Sequence, residues 1–326
     1  MALSNASFLP DEKDCAESWR AQRWSDGVQC VACGSRQVES RTEQYRGHLC
    51  RYHCQDCDRW FNDLSGTVLE YSKVSLNRWV YMMRELDKGR PVSQIGTEIE
   101  VSYKTALRMA HLIRQGLYRH RSNQPPLSGE VEGDDIHLKG GQQGYKCEHR
   151  PARKRALKQR GRGTYRGDRP LICLWVQRHS PKMVIEMVAD ASKRSLFRLA
   201  YKHVEPGSRI DTDSWKGYNL LGQLYDHHTV KHSECYVDNG VHCNTAEAEW
   251  SIFKPWWTTF RGVAKRHIHL YLAQYQFRRN RRQRSSLARL EEMIGILFRF
   301  VSLILLRFVP PSFLSRQLHP CAIFYR

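Results

Sequence analysis

Two CxxC pairs constrain the first 70 residues of this chain more than any other feature. Cys30 and Cys33 form the first pair, Cys54 and Cys57 form the second, and residues 34–53 lie between them. Four thiolates at this spacing can close a tetrahedral Zn²⁺ site, because each CxxC turn brings two sulfurs to one ion. A closed site leaves no open coordination position, so the predicted zinc ion is structural. The pattern therefore predicts a zinc ribbon in residues 1–70.

A redox role fits these cysteines less well, since it needs one CxxC pair beside a βαβ pattern. Cys50 and His53 lie close to the second pair and could compete as ligands, but they are left out of the predicted set. We expect the other cysteines to be ordinary buried thiols. They are Cys15, Cys147, Cys173, Cys235, Cys243 and Cys321.

Charge indicates the class of partner. The 326 residues include 52 Lys and Arg against 33 Asp and Glu, which gives a formal charge of +19. A soluble protein this basic repels itself, so the excess usually serves a polyanion, and nucleic acid is the leading candidate. A basic membrane-associated or ribosome-adjacent protein is the alternative.

An apolar segment at residues 293–309 bears on the membrane alternative. It contains Arg299 and Arg307, and a charge near the bilayer centre costs roughly 2.5–3.5 kcal/mol. We therefore expect a buried or interface-forming helix and no membrane partner. The N-terminus has no signal-peptide pattern. We expect a cytoplasmic protein that associates with the nucleoid.

Residues 71–120 have the pattern of a helix-turn-helix. One helix is expected over 75–86, a short second helix opens at Pro91, and Ser102 caps a third. The third helix would enter the major groove of DNA. Its first turns carry the predicted DNA-binding residues Tyr103, Lys104, Thr105 and Arg108. A plain three-helix bundle is the alternative.

A linker at residues 121–129 leads to a region, residues 130–284, that alternates strand and helix patterns. Strands are expected at 130–138, 171–179, 183–189 and 208–212, and helices at 194–204, 245–260 and 267–279. Three strands, a helix, a strand and more helices is the order of an RNase H-like α/β domain. That analogy of fold carries no function on its own.

Two further segments flank or interrupt this region. Residues 147–169, between the first two strands, are dense in Arg and Lys. They could contact a DNA backbone or form a solvated face. Residues 285–326 are expected to be an apolar helical tail.

Three acidic sites stand out in the α/β region. On the first strand, alternation places Glu132 and Asp134 on one face and Asp135 on the other. Asp213 ends a strand, which is the usual place for α/β active sites. In the predicted helix 245–260 Glu247 shares a face with Trp250 and Lys254, while Glu249 points away.

Together these sites predict phosphoryl-transfer chemistry. Three carboxylates, Asp134, Asp213 and Glu247, can hold two Mg²⁺ or Mn²⁺ ions about 3.5–4 Å apart. Such ions activate the attacking oxygen and stabilise the leaving oxygen. Lys254 would hold a DNA phosphate beside them. Each acid alone is weak support for a catalytic metal site, because surface carboxylates are common.

The combined motifs resemble a known family, the insertion-sequence transposases with a zinc ribbon before a DDE core (the ISXO2-like transposase domain). Similarity extends over roughly residues 8–282. It is carried by the stretches at 23–35, 52–61, 65–67, 131–135, 212–218, 242–254 and 277–281. Two positions depart from the family pattern: Val31, where proline is usual, and Asp135, where glutamate is common.

The resemblance implies a DDE transposase that binds the terminal inverted repeats of its element, cleaves DNA and transfers the strand to target DNA, as a homo-oligomer. The catalytic acids of the family fall on Asp134, Asp213 and Glu247, and its characteristic lysine falls on Lys254. Its zinc ligands fall on the four CxxC cysteines. A zinc-ribbon transcription regulator would explain only the first 120 residues. An RNase H-like nuclease would explain only the second half.

Overall fold

The structure is a computed structural model that describes residues 9–45, 48–121, 124–138, 170–231, 237, 240–260 and 262–298. These residues divide between two compact units. Unit 1 takes the described residues within Met1–Arg84, Gly96–Gly116 and Leu290–Arg326, and unit 2 those within Glu85–Ile95 and Leu117–Arg289. The basic segment 147–169, the apolar residues from 299 onward and Cys147, Cys235 and Cys321 lie outside the described residues.

Unit 1 begins with a helix that the sequence analysis did not predict, α1 (Glu12–Arg23). It starts after Asp11, whose carboxylate accepts the backbone N–H groups of Lys13 and Asp14. A three-stranded antiparallel sheet follows, in the order β1 (Val38–Tyr45), β2 (Leu49–Cys54) and β3 (Trp60–Asn62).

A buried carboxylate helps to join α1 to this sheet. Asp63 is fully buried and accepts hydrogen bonds from the backbone N–H of Cys50 and the hydroxyl of Tyr52. Arg20 and Trp24 of the helix end donate to the same carboxylate. Burying a charge is tolerated here because hydrogen bonds and an ion pair satisfy it.

Three helices follow: α2 (Leu76–Lys88), α3 (Val92–Glu98) and α4 (Tyr103–His120). The predicted helices at these places are confirmed, and so is the cap, because Ser102 Oγ accepts the Thr105 N–H at 3.2 Å. Close approach of α3 and α4 depends on Gly96. A Cβ atom there would lie 2.9 Å from the Cβ of Ala106.

Unit 2 is built on a five-stranded mixed sheet in the order β6-β5-β4-β7-β8. Its strands are β4 (Glu130–His137), β5 (Leu171–Gln177), β6 (Met183–Val188), β7 (Arg209–Asp213) and β8 (Asp226–Val230). Neighbours β4, β5 and β6 pair antiparallel, whereas β4, β7 and β8 pair parallel. The four predicted strands are confirmed. β8 was missed, because its sequence DHHTV buries only Val230.

Helices pack on both faces of this sheet. α6 (Asn244–Thr258) and α7 (Ile268–Asn280) cover one face and α5 (Lys193–His203) the other. The strand β5 shows why: Ile172 and Leu174 join the core cluster of α6 and α7, and Cys173 and Trp175 join that of α5. A strand buried on both faces appears in the sequence as one continuous apolar run.

The faces predicted for β4 are confirmed. Ile136 and Leu138 pack on the side of α6 and α7, and Val131 packs on the side of α5. Gly133 also faces the α5 side, where a Cβ atom would come within 2.2 Å of the Trp175 ring. This glycine is therefore required by the size of the opposing indole.

The predicted linker contributes to unit 2. Leu127 is buried and forms a short parallel bridge with Val204. The predicted tail begins with α8 (Ser286–Phe298). Of the helices in the described residues, none is long and apolar enough to span a membrane.

Candidate metal centres and DNA-binding helix

Four sulfurs converge in unit 1. The Sγ atoms of Cys30 and Cys57 are 3.5 Å apart and those of Cys33 and Cys54 are 3.6 Å apart. All four lie within 4.8 Å of one another. A tetrahedron with metal–sulfur bonds of about 2.3 Å has edges of about 3.8 Å. This cysteine cluster, Cys30, Cys33, Cys54 and Cys57, therefore fits a Zn²⁺ ion in number, softness and spacing.

Two turns bring the sulfurs together. After Cys30 the backbone folds back so that Gly34, at a positive φ of 75°, donates its N–H to the Cys30 carbonyl. The Ala32 N–H points at the Cys30 sulfur, 3.4 Å away. In the second turn the Cys54 N–H bonds to the carbonyl of Arg59. Of these N–H groups, that of Ala32 faces a sulfur, where it stabilises thiolate charge.

The thiol pKa values show how crowded the cluster is. Burial opposes ionisation of Cys30, but N–H groups of Cys33 and Ala32 lower its pKa to about 7. Hydrogen bonding with Cys33, followed by burial, raises the pKa of Cys57 to about 12. Thiolates at this spacing repel one another, so full ionisation needs a cation among them.

The two alternative ligands have other partners. His53 stacks on Trp60 with ring centroids 4.5 Å apart, and its Nε2 lies 2.6 Å from Asp58. Cys50 is buried in the sheet core. Neither belongs to the converging set.

The predicted DNA-binding residues begin α4. Tyr103, Lys104 and Arg108 are exposed, while Thr105 is half-buried beside Ser102. The opposite face of the helix carries the buried residues Ala106, Met109 and Ala110. Its first turns thus present a cationic, aromatic face to solvent.

In unit 2 two acids lie side by side on neighbouring strands. The parallel register of β4 and β7 pairs Gly133 with Thr212, so Asp134 and Asp213 are the next residues along. Adjacent strands are about 4.8 Å apart. The backbone N–H of Trp215 donates to the carboxylate of Asp213, and that of Asp135 donates to Asp134.

The third predicted acid approaches the same place. Burial, together with the nearby charges of Asp135, Asp213 and Glu247, raises the pKa of Asp134 to about 6, although the backbone N–H of Asp135 opposes the rise. Asp134, Asp213 and Glu247 therefore form one electrostatic group, the acid cluster. A divalent cation such as Mg²⁺ suits this cluster, because it binds hard carboxylate oxygens and would offset the repulsion that opposes ionisation of Asp134.

The acid cluster is wider than the cysteine cluster. Within the described residues, the four cysteines are the group whose ligand atoms all lie within 4.8 Å. Three carboxylates repel one another, and a two-metal site spreads its ligands around ions that are themselves about 3.5–4 Å apart. A wider spacing is what this kind of site needs.

The two glutamates of α6 have different surroundings. Glu247 and Lys254 are exposed, although Trp250, predicted on the same face, is buried in the core. Glu249 is buried and pairs with Arg279 at 2.7 and 2.8 Å. It also accepts the Tyr275 hydroxyl. Glu249 thus fastens α6 to α7.

A set of buried ionic residues beside the acid cluster was not predicted from the sequence. Glu132 and Asp211 are 0 % and 1 % exposed, and both bind Arg178 at 2.7 Å. A signal was present, because Glu132 shares the strand face of Asp134. No spacing rule relates it to Asp211 on β7 or to Arg178 in the turn after β5.

Known proteins similar to the chain identify its class. The profile of the ISXO2-like transposase domain family matches residues 126–280. A protein of the transposable element ISH50 from Halobacterium salinarum is 36 % identical over 264 residues, which cover 79 % of this chain and 87 % of that protein. A transposase-like protein of Haemophilus influenzae is 24 % identical over 115 residues, 35 % of this chain and 94 % of that protein.

Solved structures show weaker similarity. A chain of the simian T-cell lymphotropic virus intasome in complex with PP2A regulatory subunit B56 gamma aligns with a TM-score of 0.29 at 13 % identity, over 60 % of this chain and 68 % of that chain. A chain of the Mos1 strand transfer complex aligns with a TM-score of 0.22 at 12 % identity, over 64 % and 76 %.

The sequence relatives define the class of protein as an insertion-sequence transposase. Within that class, the chain belongs to the ISXO2-like transposase family, which confirms the resemblance.

Proposed function

We propose that this transposase cleaves and joins DNA at a two-metal carboxylate centre formed by Asp134, Asp213 and Glu247. The observation that carries the proposal is that two strands and a helix, far apart in sequence, bring Asp213 and Glu247 close enough to Asp134 for their charges to act on it. The sheet supports an RNase H-like fold for unit 2, because its first three strands are antiparallel and the next two add parallel on the other side.

Each side chain has a distinct part in this chemistry. Bound Mg²⁺ or Mn²⁺ would supply activation of the attacking oxygen and charge stabilisation of the leaving oxygen. Asp134 and Asp213 offer oxygens from neighbouring strands, and Glu247 offers one from the first turn of α6. Lys254 lies seven residues further, about 10 Å along the helix axis, where it can hold a DNA phosphate.

Unit 1 would recognise the DNA. The cysteine cluster holds one structural Zn²⁺ in a zinc ribbon, and α3 and α4 form a helix-turn-helix that binds the terminal inverted repeats. Tyr103, Lys104, Thr105 and Arg108 would contact DNA there, and the charge of +19 supports binding to both element ends and target.

We propose that the protein acts as a homo-oligomer on DNA. The proposed domains are a ribbon (1–70), a DNA-binding segment (71–120), a linker (121–129), a catalytic domain (130–284) and a tail (285–326).

Strand transfer of pre-cleaved terminal DNA in Mg²⁺ or Mn²⁺ tests the chemistry. Asp134→Asn and Asp213→Asn keep side-chain shape but remove a metal-binding charge. Activity should fall by on the order of 10³-fold, since metals contribute several kcal/mol to the transition state. Losses in the double variant should be non-additive, because the acids act as one unit.

DNA binding should survive in both variants. The exposed Glu205, in the same unit, serves as the matched control, and Glu205→Gln should retain full activity. Strand transfer that persists in Asp134→Asn, or that needs no divalent ion in the unaltered protein, would show that the proposed centre is wrong.

A further inference from the structure

The start of α6, one turn before Glu247, is held in an unusual way. The first N–H groups of a helix have no partner within it and usually bond to the side chain of the N-cap residue. Here the N-cap is Cys243, which makes no such bond. A carboxylate from another element takes its place.

That carboxylate belongs to Glu132 of β4. Its oxygens accept the backbone N–H of Thr245 at 2.8 Å and that of Ala246 at 3.0 Å. They also accept the hydroxyl of Thr245 at 2.8 Å and the Nε of Arg178 at 2.7 Å. A negative charge at this end of a helix is further favoured by the helix dipole.

Arg178 makes the arrangement rigid. Besides Glu132, its guanidinium donates to Asp211 of β7 and to the carbonyl of His242, each at 2.7 Å. Arg209 closes the group by donating to Asp211 at 3.0 Å. Side chains of β4 and β7 and the backbone before α6 are thus joined by charge-assisted bonds, which are the strong ones.

Two members of the acid cluster lie directly beside the residues that Glu132 and Arg178 join. Asp134 follows Glu132 by two residues on the same face of β4, about 6.7 Å along the strand. Glu247 follows Ala246, the last residue that Glu132 binds. Any tilt or slip of the first turn of α6 against β4 would therefore move the Glu247 carboxylate relative to Asp134.

We propose that Glu132 and Thr245 are positioning residues, which fix the first turn of α6 to β4 so that Glu247 completes the metal site with Asp134 and Asp213. This inference rests on the proposed function of the acid cluster. Outer-shell partners of metal ligands typically change metal affinity or activity by roughly 10–100-fold when altered.

Equilibrium Mn²⁺ binding tests the proposal without a catalytic assay. Full-length protein is first saturated with Zn²⁺ to occupy the cysteine cluster, and free Mn²⁺ is then followed by electron paramagnetic resonance. Glu132→Gln should weaken Mn²⁺ binding by up to roughly 100-fold, and Thr245→Val by roughly tenfold. Thr245→Ser restores the hydroxyl and should restore binding.

Strand transfer supplies a second readout. Mg²⁺ demands near-ideal octahedral geometry, so activity in Mg²⁺ should fall more than activity in Mn²⁺. The control is Glu186→Gln. Glu186 lies on β6, is partly buried, and pairs with Arg121 and His203. It should lower stability without changing Mn²⁺ affinity or the Mg²⁺-to-Mn²⁺ activity ratio.

The outcomes separate this inference from the proposed function. If Glu132→Gln fails to fold, Thr245→Val decides, because Thr245 is exposed and keeps its backbone N–H. Unchanged Mn²⁺ affinity in Thr245→Val, or no recovery in Thr245→Ser, overturns the positioning role. If Asp134→Asn also binds Mn²⁺ normally, the acid cluster itself is not the metal site and the proposed function fails with it.

Discussion

The cysteine cluster of unit 1 and the acid cluster of unit 2 bring metal-ligating side chains together in opposite ways. The cysteines come from two short turns within 28 residues, Cys30 to Cys57, and their sulfurs already stand at 3.5 and 3.6 Å. The acids come from two strands and a helix spread over residues 134–247, and they are spaced more widely. Local turns can preform a closed site, whereas an open site depends on the packing of whole elements.

Chemistry explains the difference. A structural zinc ion needs four soft ligands and no access, and its binding energy adds to folding. The proposed catalytic centre must leave room for ions, water and a phosphate, so its carboxylates would be held apart, where they repel one another in the absence of metal. Four experiments test this contrast, in order of decreasing expected effect.

The two glutamates of α6 test the open site most strongly. Glu247→Gln should lower strand transfer by on the order of 10³-fold with little change in stability. Glu249→Gln should instead lower the free energy of unfolding, by roughly 3 kcal/mol, because it breaks the buried ion pair with Arg279. Activity per folded molecule should remain. Parallel strand-transfer and thermal-unfolding measurements check this, and an inactive, stable Glu249→Gln beside an active Glu247→Gln would reverse the assignment.

Removing one ligand tests the closed site. Cys57→Ser leaves three thiols, so zinc content should fall from one equivalent to near zero and the fold of residues 1–70 should be lost. Cys50→Ser is the control, since Cys50 lies outside the converging set, and it should keep one equivalent. Metal analysis with circular dichroism of the full chain measures both. Retained zinc in Cys57→Ser would contradict the four-cysteine site.

The strain in the acid cluster can be measured without metal. The pKa of Asp134 rises from 3.8 to about 6 on folding, so its carboxylate destabilises the folded state above pH 6. That penalty fades as pH falls through 6 toward 4, where the group is protonated in both states. With zinc in place and no other divalent ion, Asp134→Asn should therefore be more stable at pH 8 by on the order of 3 kcal/mol.

Thermal midpoints of Asp134→Asn and the unaltered protein, compared from pH 8 to pH 5, check the sign. The difference should shrink as the pH falls. A difference that is absent at pH 8, or that grows toward pH 5, would contradict the repulsion inferred for this cluster.

The smallest effects are expected in the DNA-binding helix. Lys104→Ala and Arg108→Ala should each weaken binding to terminal DNA and reduce its salt dependence by about one phosphate contact. Chemistry on DNA already bound should not change, because these residues lie in unit 1. Lys73→Ala removes an equally exposed charge of the same unit and is the control. If all three variants bind alike, α4 is not the recognition helix.

Local patterns were enough to predict much of the molecule. The cysteine spacing, the Ser102 cap and the alternation along β4 each depend on neighbouring residues, and the structure agrees with all three. Long apolar or amphipathic runs predicted the strands β4 to β7 and the helices α5 to α7. The missed elements, α1 and β8, have weak patterns, because α1 buries mainly Trp19 and β8 mainly Val230.

What the sequence alone determined is the set of short-range facts: the spacing that brings the four cysteines together, the alternation of faces along β4, and the family to which the motifs belong. What only the tertiary structure decided is the use of buried charges. Glu132 on β4 and Asp211 on β7 meet Arg178 from the turn after β5, and Glu249 on α6 meets Arg279 on α7. No local rule relates them, because a buried charge is stable only with partners that the folded chain brings to it.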